Sequence, residues 1–284
     1  MRNYSGDSLL LHEQEFYRYW LRYYNENFEA RFGLQKIVFG TSQLLRTLSW
    51  FDSIDPMDPI GETSGVKALR LRWFPMHNLS SWNWIIVSKD DTLSYGGRIE
   101  FSNTIGEWGF TYHTDPSKSI KSISSINTSV LGSDSRFAID YRFDGLIGLW
   151  NESALIQSNR SKVVTMTLGA DYTLPISKGL LLTVEYMSLQ NKFDSVTNDS
   201  KFLALMASIP LGITHQIMMV SQMNIGEEKV YHFLRWSSTY NYYSLNFICT
   251  IYPKRSSYQH YDQFLHQSLA GFGTGFQVMF IYNH

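Results

Sequence analysis

Apolar and polar residues alternate with a period of two along most of this chain, and that restricts what it can fold into more than any other feature. Tyr17, Tyr19, Leu21 and Tyr23 interleave with Arg18 and Arg22, and Phe28, Ala30, Phe32 and Leu34 with Glu29 and Arg31. The pattern returns in Leu69/Leu71/Trp73 against Arg70 and Arg72, and in Phe137/Ile139/Tyr141 against Arg136, Asp140 and Arg142. It recurs in Val164/Met166/Leu168 against Thr165 and Thr167, and in Leu180/Leu182/Val184 against Thr183 and Glu185. Successive strand side chains point to opposite faces, so this alternation predicts strands with one apolar and one polar face. About fifteen such segments can be marked, each of roughly ten residues, the length that crosses a bilayer as a tilted strand. Their cores are 15–24, 28–40, 66–75, 81–88, 93–102, 107–114, 135–142, 147–157, 162–174, 180–191, 200–209, 213–224, 230–239, 243–253 and 274–284.

The connections point the same way. Taken in order, the odd ones are short: 25–27, the stretch near His77–Asn78, 103–104, 144–145, 177–179, 211–212 and 241–242. The even ones include every long loop: 41–65, 115–134, 192–199 and 254–273. Transmembrane barrels have short periplasmic turns and longer loops on the outside, whereas a soluble sandwich has no reason to sort its loops by parity. The expectation is an all-β fold, a single transmembrane antiparallel up-and-down barrel over residues 1–284 with its C-terminus in the periplasm. Even strand numbers are the rule in such barrels, so about sixteen strands are expected when complete. Either residues 1–12 supply the additional strand, or it lies with an export leader ahead of residue 1.

Composition agrees with a membrane interface. The chain holds 18 Tyr, 18 Phe and 8 Trp, and the amphipathic rings of Tyr and Trp suit the boundary between lipid and water. No run approaches the length of a transmembrane helix. A formal net charge of -1 gives no basic surplus for a nucleic-acid partner. The single cysteine, Cys249, excludes an internal disulfide and reads as an apolar filler. At the C-terminus Phe276, Val278, Phe280 and Tyr282 alternate up to His284, which looks like the terminal strand signal of outer-membrane proteins.

The segment most suggestive of function is 41–65. It carries Asp52, Asp55, Asp58 and Glu62, together with Arg46, and Pro56 and Pro59 forbid a regular ladder there. The flanking strands place Arg18, Arg22, Arg31, Arg70 and Arg72 opposite the apolar face. Arginine against lipid costs about 2–4 kcal/mol at the bilayer midplane, so these residues are expected to line the lumen. Lys36 falls on the outward side in strict alternation, unless a bulge at Gly33 shifts the register. The segment is expected to fold inward as a constriction loop whose four carboxylates face the arginines. Trp50 and Phe51 are candidates for stacking against a sugar.

Residues 33–40 (GLQKIVFG), Leu45-Arg46, Trp50-Phe51-Asp52, Asp55-Pro56-Met57-Asp58-Pro59 and Gly65-Val66 together resemble a family of Bacteroidota outer-membrane barrels and, more distantly, porin-type proteins. The match spans about 35 residues. It implies the outer membrane and the barrel fold, and it supplies no catalytic residue. General porins use an inserted loop and opposed charges to narrow and polarise a pore, and charged constrictions are a physical basis of pore selectivity.

Signals for chemistry are weak. Gly271–Gly275 lacks the lysine and helix of a phosphate loop. His260, Asp262 and His266 share a loop without metal-ligand spacing, and His113, Asp115 and Ser117 fit a solvated strand end as well as a catalytic relay. No enzyme activity, cofactor or metal is expected. The expected function is passive diffusion of small hydrophilic solutes through a porin-like channel. The alternative is a plugged structural or assembly subunit with protein partners in the envelope.

Overall fold

A computed structural model describes residues 18–52, 54, 57–59, 63, 65–88, 90–121, 130–251 and 274–282, and the backbone alone of 2–5, 8–12, 122–123 and 128–129. The strands are β1 (Arg2–Ser5), β2 (Ser8–His12), β3 (Tyr19–Tyr24), β4 (Phe28–Gln35), β5 (Val66–Met76), β6 (Leu79–Val87) and β7 (Leu93–Asn103). They continue with β8 (Gly106–Asp115), β9 (Ile120–Ile123), β10 (Thr128–Leu131), β11 (Asp134–Asp144), β12 (Gly148–Ser158) and β13 (Ser161–Leu174). The last six are β14 (Leu180–Phe193), β15 (Val196–Leu211), β16 (His215–Asn224), β17 (Lys229–Thr239), β18 (Tyr243–Ile251) and β19 (Gly275–Tyr282).

Fifteen of them form one antiparallel up-and-down sheet in the order β19-β18-β17-β16-β15-β14-β13-β12-β11-β8-β7-β6-β5-β4-β3. The period-two segments map onto these strands, with differences at one strand end and in the connections. The segment at 28–40 leaves the sheet at Gln35, because Ile37 and Phe39 turn off the ladder into buried positions. No bulge accompanies Gly33: its φ is +123°, yet the pairing runs through it without a shift, and Lys36 lies exposed just beyond the strand end. The loop expected at 192–199 is instead a tight turn at 194–195, since β14 and β15 pair in register out to Phe193↔Val196. The loop at 115–134 contains the hairpin β9–β10. Residues 2–12 form their own hairpin, β1 on β2, apart from the large sheet, so in this structure they do not supply a sixteenth strand.

The connections do sort by end. One end has only tight turns, at 25–27, 77–78, 104–105, 145–147, 175–179, 212–214 and 240–242, whereas the long connections 36–65, 116–133 and 252–274 all lie at the other.

The outer face is apolar, unlike the outer face of a water-soluble sheet, while the inner face mixes charged, polar and apolar side chains. Outward are large apolar side chains on strand after strand, among them Ile85, Tyr95, Phe110, Phe137, Val164, Leu205, Leu234 and Phe280, all exposed. The other face buries Arg70, Arg98, Thr111, His113, Arg136, Asp140, Glu152, Thr165, Thr167, Thr183 and Glu185. Exposed apolar patches on soluble monomers seldom exceed a few hundred Å².

The sheet is strongly curved, as the chain path requires. Gly40 lies five residues beyond the end of β4 and packs against the Glu152 side chain on β12. Five residues reach at most about 18 Å. The six interstrand steps from β4 to β12 would measure about 29 Å on a flat sheet, more than the chain and a glutamate side chain can bridge. The polar face is therefore concave, and residues 36–52 lie within it.

Candidate functional site: an anchored segment and an arginine row

The segment after β4 is held by groups from strands distant in the sequence. On β12, the Glu152 carboxylate accepts backbone N–H bonds from Thr41, from Ser42 at 2.7 Å and from Leu48 at 3.1 Å. On β14, Glu185 accepts from the backbone of Gln43 at 2.6 Å, Leu44 at 3.0 Å and Leu45, and from Trp150 Nε1 at 3.1 Å. An irregular segment has backbone donors that no ladder satisfies, and burying them unpaired would cost about 1–3 kcal/mol each. The two carboxylates collect six of them. Gly40 makes the approach possible, because its φ of +99° disfavours other residues and a Cβ there would collide with Glu152.

Hydroxyls and rings complete the docking. Thr165 donates to Thr47 at 2.8 Å, and Thr167 donates to the Leu45 carbonyl at 2.9 Å. Phe39 stacks on Trp84 at 5.7 Å and meets Trp50 edge-on, while Phe51 sits 4.9 Å from His113. Leu44, Leu45 and Leu48 join a buried apolar cluster with Ile156, Met187, Phe202, Val220, Phe233 and Ile248 from β12 and β14–β18. Trp50 and Phe51, expected as sugar platforms, are instead packed into this aromatic group.

Of the acidic residues expected to face the arginines, Asp52 is buried and pairs with Arg46 of the same segment, and Ser49 donates to its carboxylate. Asp58 is half-buried; Asp55 and Glu62 lie outside the described residues, as do His260, Asp262 and His266. Arg18 donates to the carbonyl of Thr63 at 2.8 Å, which ties the end of the segment to the start of β3.

The other arginines do come together. Cross-strand register puts Arg22 directly opposite Arg31, and Arg31 opposite Arg70. Glu29 sits among them, 2.6 Å from Arg22, 2.9 Å from Arg31 and 2.9 Å from Arg70. Arg72, the register partner of Glu29 on β5, has its guanidinium carbon 3.8 Å from the Trp82 ring centre. The basic wall expected from the sequence is present on β3–β5; its counter-charges among the described residues are Glu29 on the wall itself and Glu100 on β7, which acts on Arg72.

Glu29, Glu152 and Glu185 were the residues that sequence reasoning left without a role. A lone glutamate in register with apolar residues of an otherwise uncharged strand, as Glu152 is with Trp150, Ala154 and Ile156, was the available signal. His113, Asp115 and Ser117 do not form a relay: His113 Nδ1 accepts from Trp84 Nε1 at 3.2 Å, and Asp115 accepts from Ser88 and from the Ser117 backbone. Comparison with protein-family models and with curated proteins finds no match to this chain.

Proposed function

We propose that this chain is an outer-membrane β-barrel, its convex face in lipid, its concave face the lumen wall and residues 36–65 an inserted loop. It works as a porin-like channel for small hydrophilic solutes. The observation that carries the reading is the exterior: a broad apolar outer face around an interior that holds the buried charged groups, beside polar and apolar ones, is the arrangement a bilayer demands. The resemblance to Bacteroidota barrels fits the same location, with the tight turns and the C-terminus in the periplasm. Because β3 and β19 are first and last in an odd run of antiparallel strands, they point the same way. One strand antiparallel to both closes the barrel at sixteen.

The segment is anchored on β12 and β14, packs its rings toward β6 and β8 and joins its leucines to the apolar cluster of β12 and β14–β18, and the arginine row on β3–β5 is the wall beside which solute passes. A second reading, a plugged barrel serving as a structural or assembly subunit, draws support from how thoroughly residues 37–50 are buried. Planar-bilayer recordings of the refolded full chain, beside a variant lacking residues 41–62, separate the two. A pore conducts steadily and conducts more after deletion. A plugged barrel stays silent until the segment is removed. Silence from both, in protein that has inserted into the bilayer, would sink the channel reading.

A further inference from the structure

The arginine row has a surplus of charge that the protein does not neutralise. Elsewhere in the described residues Arg98, Arg136, Arg142 and Arg160 each have at least one nearby carboxylate, and Arg98 has two, Glu100 at 2.7 Å and Asp140 at 2.6 Å. Arg22, Arg31 and Arg70 share Glu29, and Arg72 has no ion pair among the described residues beyond the influence of Glu29 and of Glu100, a carboxylate already paired with Arg98, so positive charge is in excess on one small patch. Like charges directly opposite across a sheet repel one another, and here three arginines form such a row. Arg70 is buried, and its Nε has no hydrogen-bond partner; the same is true of the Arg72 Nε. Arg31 Nε lies close to Glu29 without hydrogen-bond geometry. Arg22 and Arg31 remain partly open to solvent, so the patch can be reached.

We propose that this row is a binding site for oxyanions, carboxylate or phosphate groups on small solutes, and that it makes the pore anion-selective. The inference rests on the channel reading for the selectivity and on the geometry alone for the binding. Guanidinium forks match the planar or tetrahedral oxygens of such groups, and a bound anion supplies the counter-charge that Glu29 cannot provide alone. Arg72 is braced on Trp82, which leaves its donors free of any ion pair among the described residues.

Two measurements test this on the refolded full chain. Reversal potentials across a potassium chloride gradient should show anion preference. Arg72→Glu should lower the anion-to-cation permeability ratio roughly threefold or more, and Arg72→Lys should preserve it. In parallel, inorganic phosphate and acetate are titrated against detergent-folded protein with tryptophan fluorescence as readout, and Trp82→Phe identifies the contribution of Trp82. Saturable quenching by millimolar phosphate or acetate, lost in Arg72→Glu and weakened in Arg72→Lys, is the expected result. Phosphate acting without acetate narrows the ligand to phosphoryl groups, and the reverse to carboxylates. Cation preference, or a permeability ratio unmoved by Arg72→Glu, overturns the selectivity claim. Absence of saturable binding to folded wild-type protein overturns the site. A barrel that binds phosphate yet never conducts would refute the channel and leave the site standing.

Discussion

Two walls of the same concave face handle charge in opposite ways. On β12 and β14, Glu152 and Glu185 are buried, and each is saturated by backbone donors of the inserted segment. On β3–β5, three arginines share the Glu29 carboxylate and a fourth, Arg72, stands beside them, with guanidinium nitrogens to spare. A charge whose partners are all supplied by the fold is structural: it pins the segment. A charge left in surplus within reach of solvent waits for a partner from outside. The distinction lies in the ledger of hydrogen bonds, since both walls look equally polar in the sequence.

The sharpest way to break the comparison is to remove a saturated charge. Glu185→Ala strands three backbone donors and should destabilise the fold by about 3–5 kcal/mol, the range for breaking a buried charged network. Chemical denaturation of the folded protein would measure it, and on the channel reading conductance should rise as the segment loosens. An unchanged midpoint would mean that Glu185 is no anchor. Leu48→Ala attacks the same docking from its apolar side, and about 2–4 kcal/mol should be lost in the same assay. On the other wall, Glu29→Gln removes the shared counter-charge and should cost about 1–3 kcal/mol. That loss should shrink when millimolar phosphate is added, whereas the loss in Glu185→Ala should not. Equal rescue of both variants would erase the distinction between the walls.

The smallest effect is expected at the rim, where Arg160 and Asp194 pair at 2.7 Å in adjoining turns. The hydrogen bond from Arg160 holds the Asp194 carboxyl below its ordinary range. A depressed carboxylate contributes stability above its unfolded value and loses it as pH falls through the folded value, so any contribution disappears only in acid. The pair is exposed and screened. Asp194→Asn should leave the unfolding midpoint at neutral pH within error, and a clear shift would show that the surface is more than a solvated rim.

The strands were legible because alternation is a local signal: the residues that make Phe110 and Tyr112 face out and Thr111 and His113 face in are adjacent in the chain. The arginine row could be read for the same reason, since it depends only on which face a residue takes within three neighbouring strands. The anchoring of the segment could not. Glu152 and Glu185 meet it from more than a hundred residues away, and nothing near Thr41 or Leu45 announces them. Asp52 has a partner within local reach along the chain. Arg46 lies six residues before it, near enough in an irregular turn to satisfy it first.

That distance along the chain has a consequence for the order of assembly. Leu45 and its acceptor on Glu185 are 140 residues apart, and Leu48 and Glu152 are 104 apart. The acceptors do not exist in place until β12 and β14 have joined the sheet, and contacts of such long separation form late because closing the intervening loop must come first. Residues 36–52 are made early and docked late. The growing sheet therefore passes through a stage with an empty interior, and the segment enters a cavity already built to receive it.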